Sequence, residues 1–265
     1  MNIYIMVDIE GISGIYCRDQ LTSGGRLEEG KRMFTREINI CAEACKKYGA
    51  DKVYVRDCHG GSNSLIWEKL SPAVDYAVCG MTGEDRFVGL DDCDAVILLG
   101  YHAMAGTSSA VLEHTMSSRG IQNFYINGEK VGEIAIDAAI SGELGRPVIM
   151  VSGDDKTCRE AKAFLPWAAT AEVKRAVSCD GAVLLPPHTA EKVIDEAVCQ
   201  AITTLKNNEA KLYKVASPVT VRIERPERVD VPSKAVRPYM SIIDSRTFEV
   251  VSDTAADAVN KALLS

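Results

Sequence analysis

A chain of 265 residues, 46% hydrophobic and 25% charged, has an ordinary globular composition with enough apolar material for a sizeable core. Its formal net charge of -7, with Lys and Arg scattered rather than striped, leaves no footprint for nucleic acid. The first residues run straight into a strand pattern with no leader-like basic and apolar segments, and apolar runs such as AVILLG are too short to span a bilayer; a cytoplasmic protein with no membrane contact is expected.

In chain order, residues 2–8 read as a buried strand and residues 28–48 as an amphipathic helix ended by Gly49. A second strand, KVYVRD, follows at once. Residues 64–70 suggest a short helix, VDYAVCG a strand, and DAVILLGYHA a wholly apolar strand of the kind buried on both faces. QNFYINGEKVGE reads as a hairpin turning at Asn127-Gly128. A helix from Glu133 to about Leu144, the strand PVIMVSG and the helix DKTCREAKAFL come next. The last 80 or so residues hold a long helix, TAEKVIDEAVCQAITTLKN, a strand PVTVRIE, a proline-broken stretch, and a final strand and helix.

This alternation predicts an α/β fold: a mainly parallel sheet flanked by helices in three layers, with ligands gathered at the carboxyl ends of the strands. Residues 1–180 are expected to form the catalytic domain and residues 181–265 a smaller C-terminal α/β lobe. No linker-like tract and no internal repeat is present. Nine cysteines, an odd number without a Cys-x-x-Cys pair, fit reduced thiols; Cys41 and Cys45, on one helix face, read as apolar packers rather than a metal pair.

The strand ends carry the chemistry. Asp8 and Glu10, after the first strand, point the same way if the strand continues, and neighbouring carboxylates raise each other's pKa unless something positive sits between them. His59 and His102, two of only four histidines, stand where the second strand and DAVILLGYHA turn into loops. Glu133, at a helix start, can turn back to the same edge. Taken singly, each has an ordinary role: a hydrogen-bonded histidine, a turn cap, a carboxylate at a helix N-terminus. Converging, they make an N/O ligand set suited to zinc, manganese or cobalt. Five ligands exceed the roughly three of one open zinc site. Two ions about 3.5–4 Å apart, sharing a carboxylate, account for the surplus.

Two other readings stay open on the residues alone. IMVDIEG and VIMVSGDD imitate the acidic strand ends of haloacid-dehalogenase phosphatases, with Asp8 as nucleophile, Glu10 as acid, and Asp154 or Asp155 binding magnesium; His59 and His102 would then have no task. A non-catalytic metal-binding or assembly module is the other. A dinucleotide site is unsupported, because no Gly-x-Gly-x-x-Gly turn follows the first strand.

VDIEGISG, DCHGGSN, LLGYHA, EHTMS, FYINGEKVGE and VSGDD, in this order, resemble the D-aminopeptidase family of bacterial dipeptide-transport operons, the M55 metallopeptidases. The likeness runs from residue 1 to about 180 and thins beyond. It implies a two-zinc aminopeptidase acting on short peptides with a free N-terminus, with D-alanine as an example of the residue removed, inside a ring-shaped homodecamer. It implies a bridging Asp8, Glu10 with His102 on one zinc, and His59 with Glu133 on the other. To His114 it gives the role of nucleophile or general base; proton relay is the preferred form, since a neutral imidazole suits acid-base work. Cys58 stands where a small hydroxyl residue is expected, and reads as packing.

Overall fold

In Asn2–Val7 (β1), Ile3, Ile5 and Val7 enter one apolar cluster while Tyr4 and Met6 enter another, the period-two alternation of a strand covered on both faces. The computed structural model describes residues 1–22, 25–83, 85–228 and 238–264. Around β1 lie Leu27–Lys47 (α1), Lys52–Asp57 (β2), Tyr76–Val78 (β3) and Ala95–Leu99 (β4). Asn123–Ile126 (β5) and Glu129–Lys130 (β6) form the expected hairpin, followed by Glu133–Glu143 (α2), Val148–Asp154 (β7) and Asp155–Phe164 (α3). The chain continues with Ala169–Ser178 (β8), Gly181–Leu184 (β9), Pro187–Lys206 (α4), Val219–Glu224 (β10), Met240–Ile242 (β11), Thr247–Ser252 (β12) and Ala255–Leu263 (α5).

A seven-stranded sheet in the order β3-β2-β1-β4-β7-β8-β9 is parallel except for β9, and a five-stranded antiparallel sheet runs β11-β12-β10-β5-β6. α1 and α4 cover one face of the large sheet. On the other face, α2 is buried at every position from Glu133 to Gly142, as a helix must be when it lies between two apolar layers. The α/β class, with its mainly parallel sheet between helices, is therefore as expected. Residues 1–180 and 181–265 each contribute to both sheets: β5 and β6 join the second, while β9 and α4 stay with the first.

Several elements differ from expectation. Between residues 64 and 70 only Trp67–Lys69 winds, as a 3-10 turn. The hairpin β8–β9 is not anticipated by the apolar pattern, because alanines alternate there with Glu172, Lys174 and Arg175 instead of with branched side chains. The expected single final strand is the pair β11 and β12. Of the proline-broken stretch, residues 229–237 lie outside the described residues. Among the described residues no helix is long and apolar enough to cross a membrane.

Strand order reverses at β1: β2 and β3 lie on one side of it, β4, β7 and β8 on the other. Such a switch point opens a crevice at the carboxyl edge, and in register Val7 pairs with both Asp57 and Leu99, so Asp8, His59 and His102 all leave the sheet there. The crossing is tight. Gly11 donates its N–H to the Gly100 carbonyl at 2.7 Å, and a Cβ on Gly11 would stand 1.8 Å from the Tyr101 carbonyl oxygen. Gly11→Ala must push two backbones apart and is expected to cost about 3 kcal/mol, the upper part of the overpacking range; a urea midpoint equal to wild type would refute this close approach.

Candidate metal centre

Asp8 sits just past β1, where its Oδ1 accepts the Ile9 N–H. That oxygen lies 3.1 Å from His59 Nδ1, while Oδ2 lies 3.2 Å from His102 Nε2. Each arm of one carboxylate therefore reaches a different imidazole. Glu10 Oε2 is 3.0 Å from His59 Nδ1, and Glu133 Oε1 is 3.3 Å from His102 Nε2. Two atoms each about 2.0 Å from a tetrahedral zinc are roughly 3.3 Å apart, so these spacings are those of neighbouring ligands.

Hydrogen bonding accounts for the His59–Asp8 contact but not for the others. His102 Nδ1 faces its neighbour's carbonyl, Ala103 O, at 3.0 Å, which places a proton there and makes Nε2 the nitrogen that offers a lone pair once the ring is neutral. Glu10 Oε2 and His102 Nε2 are both buried without a partner in hydrogen-bonding geometry. A buried polar atom left in this state is costly. Cations among these atoms remove the cost, so the residues present fit divalent metals.

Charge gives the same answer. Burial opposes charge on His59, yet Glu10 and Asp8 push its imidazole up to about 11; burial also opposes charge on His102, and Asp8 and Glu133 hold it well above the usual imidazole range. Asp8, whose burial works against ionisation, is held well below the carboxylate range by His102 and His59. The cluster keeps positive charge in one form or another. A metal arriving here must displace imidazole protons, so its affinity falls as pH falls.

All six residues expected from the sequence meet at this edge, but in a different pairing from the one the resemblance implies. Glu10 groups with His59 and Asp8; Glu133 groups with His102 and His114. The physical reason is local. Glu10 lies beside the β2 end that carries His59, whereas Glu133, first residue of α2, lies under the β4 end that carries His102. His114 stacks on His102 with ring centroids 3.9 Å apart, and its Nδ1 faces Leu112 O at 2.9 Å. Its Nε2 is 3.7 Å from Glu133 Oε1, longer than the 3.0 to 3.3 Å contacts, which sets it apart from the other five.

Outer contacts fix these side chains. Asp57, at the end of β2, accepts N–H bonds from His59, Ser64 and Leu65 and shapes the loop holding His59. Glu133 Oε1 accepts the Met116 N–H at 2.8 Å. Arg86 lies 3.7 Å from Glu133 Oε2 and is clamped on Asp137 by bonds of 2.5 and 3.0 Å, while Tyr101 donates to the same carboxylate at 2.6 Å. Such partners orient ligands nearly as much as the ligands themselves.

Lys174, wholly buried in β8, has no counterpart in the sequence reading. Its ammonium donates to the carbonyls of Glu10, Ile12 and Ile15 at 2.6, 2.9 and 2.6 Å, tying down the loop that carries Glu10. The signal is a lone lysine at an inward position among alanines and valines. Burial pulls its pKa down to about 8.

Other candidates are engaged elsewhere. Cys58 Sγ donates to Val7 O at 3.1 Å, and Cys41 and Cys45 are buried in the face of α1 on the sheet. Asp154 caps α3, with Oδ1 taking Lys156 N, Thr157 N and Thr157 Oγ1 and Oδ2 taking Val111 N; Asp155 pairs with Lys156 at 2.9 Å. The magnesium ligands of a dehalogenase-type phosphatase thus have other work. A cleft of about 170 Å³ opens over the centre, walled by Glu10, His59 and His114 among others.

From residue 1 to 263 the chain matches the model of the peptidase M55 family, described as D-aminopeptidase, well past the point near 180 where the motifs thin. It is 36% identical over 204 residues to the D-aminopeptidase of Bacillus subtilis (strain 168), covering 76% of this chain and 74% of that protein. Among solved structures it is similar to the Zn-dependent D-aminopeptidase DppA from Bacillus subtilis, described as a self-compartmentalizing protease, with a TM-score of 0.93, 30% identity, and coverage of 100% of this chain and 96% of that one.

Proposed function

The chain belongs to the D-aminopeptidase family of M55 metallopeptidases and is a peptidase, and on that premise we propose that it removes the N-terminal residue, D-alanine for example, from short peptides using two zinc ions. The observation that carries this reading is the divided reach of Asp8, Oδ1 toward His59 and Oδ2 toward His102. Asp8 would serve both ions, Glu10 and His59 would hold one, and His102 and Glu133 would hold the other. Manganese or cobalt suits the same donors.

When bound, the zinc pair supplies Lewis-acid polarisation of the scissile carbonyl and acidifies an attacking water. The protein's own groups do the rest. His114, its Nδ1 proton fixed on the Leu112 carbonyl, keeps an Nε2 lone pair beside Glu133 and open to the cleft; there it takes the proton of the attacking water and returns it to the departing amine. Glu133 stays ionised because the His102 imidazole outweighs its burial. The Arg86–Asp137–Tyr101 contacts keep that carboxylate aimed. The small cleft suits short peptides, being well under the roughly 300 Å³ at which pockets for larger ligands begin. A homo-oligomer, the ring-shaped decamer expected from the sequence, goes with the word self-compartmentalizing in the description of the similar structure.

Hydrolysis of D- and L-alanyl dipeptides, before and after chelation, tests the reading. The D-alanyl peptide is expected to be cleaved faster, with activity lost to the chelator and restored by zinc. A zinc-loaded protein that cleaves neither peptide would overturn it.

A further inference from the structure

The cleft over the metal centre is lined by groups of unlike charge. Glu10, His59 and His114 share its wall with Arg18, Arg119 and Ser118. Both arginines are exposed, and neither guanidinium has a carboxylate within 4.0 Å among the described residues, although the backbone N–H of Arg18 donates to Asp180. This stands out in a chain of net charge -7, where acid partners outnumber bases. Two unpaired guanidinium groups flanking a small cavity are an incomplete anion site, since the planar fork of arginine matches a carboxylate bidentately.

A free dipeptide carries the complementary charges, an ammonium at one end and a carboxylate at the other. With its N-terminal residue at the metal centre, a dipeptide held in a cavity of only about 170 Å³ keeps its carboxylate within the same small space that Arg18 and Arg119 line. Each further residue would carry the carboxylate at most about 3.3–3.6 Å farther out. We propose that Arg18 and Arg119 bind the C-terminal carboxylate of the substrate and so make the enzyme selective for dipeptides. The proposal rests on the aminopeptidase reading above and adds to it the group that sets substrate length.

The test compares kcat/KM for D-alanyl-D-alanine and for D-alanyl-D-alaninamide, which lacks the carboxylate, in zinc-loaded wild type, Arg18→Gln and Arg119→Gln. Wild type is expected to favour the free acid by roughly tenfold to a hundredfold, the span of a charge-assisted hydrogen bond. In each variant that ratio should fall toward one through a higher KM for the acid. Arg119→Lys should restore the ratio in part, keeping charge but not the fork. Tripeptides should be poorer substrates than dipeptides for wild type, with the gap narrowed in the variants. A ratio near one in wild type, or an unchanged ratio in both variants, would overturn the proposal. So would loss of zinc from either variant, which would tie that arginine to the metal loops instead. Failure of the aminopeptidase reading looks different: zinc-loaded wild type would cleave neither the acid nor the amide.

Discussion

Asp8→Asn is expected to strip the protein of at least one zinc per subunit and to lower peptide hydrolysis roughly a thousandfold, about 4 kcal/mol of transition-state stabilisation. The substitution keeps the side-chain volume and an oxygen for the Ile9 N–H, so the local turn survives. What it removes is the second anionic oxygen. One arm can then face His59 or His102, but not both with charge. Because metal bound only to the folded state stabilises by mass action, added zinc should raise the melting temperature of wild type far more than that of the variant. Elemental analysis and thermal melts with and without zinc read both effects. Full zinc content in Asp8→Asn would remove the bridging role.

The second large effect is at His114. His114→Ala should lower kcat about a hundredfold to ten-thousandfold, the usual worth of a positioned acid-base group, while zinc content stays at the wild-type level. The 3.7 Å spacing from Glu133, longer than the other contacts in the cluster, places the imidazole beside the ligands rather than among them. Its stacking on His102 fixes the ring plane, and the Leu112 carbonyl fixes the tautomer. Zinc lost along with activity would make His114 a ligand. Activity retained with zinc in place would leave the proton relay without a residue.

How far these features could be read from the sequence depended on range. β1, β2, β4 and β7 announce themselves as apolar runs because a parallel strand covered on both faces needs branched side chains at every position. Asp8, Glu10, His59 and His102 were legible for a related reason: they stand where those runs stop, and parallel neighbours bring their stops to one edge; Glu133 was legible as a helix start, and His114 only through the family resemblance. β8 was not legible, because its alanines pack against α3 and α4 without a branched signature and its lysine looks like a solvated residue until Glu10, Ile12 and Ile15 are seen around it. Nor was the pairing of ligands. Whether Glu10 meets His59 or His102 turns on side-chain directions at a crossing set by Gly11 and Gly100, which spacing along the chain does not encode. The second sheet escaped because the β5–β6 hairpin finds its partner β10 some 90 residues later, and only tertiary packing makes that choice.

Anomalous diffraction at the zinc edge, from crystals of the purified protein, addresses the centre most directly. Two peaks about 3.5–4 Å apart should straddle Asp8, one against Glu10 and His59, the other against His102 and Glu133. A single peak, or peaks remote from Asp8, would contradict a shared two-metal site.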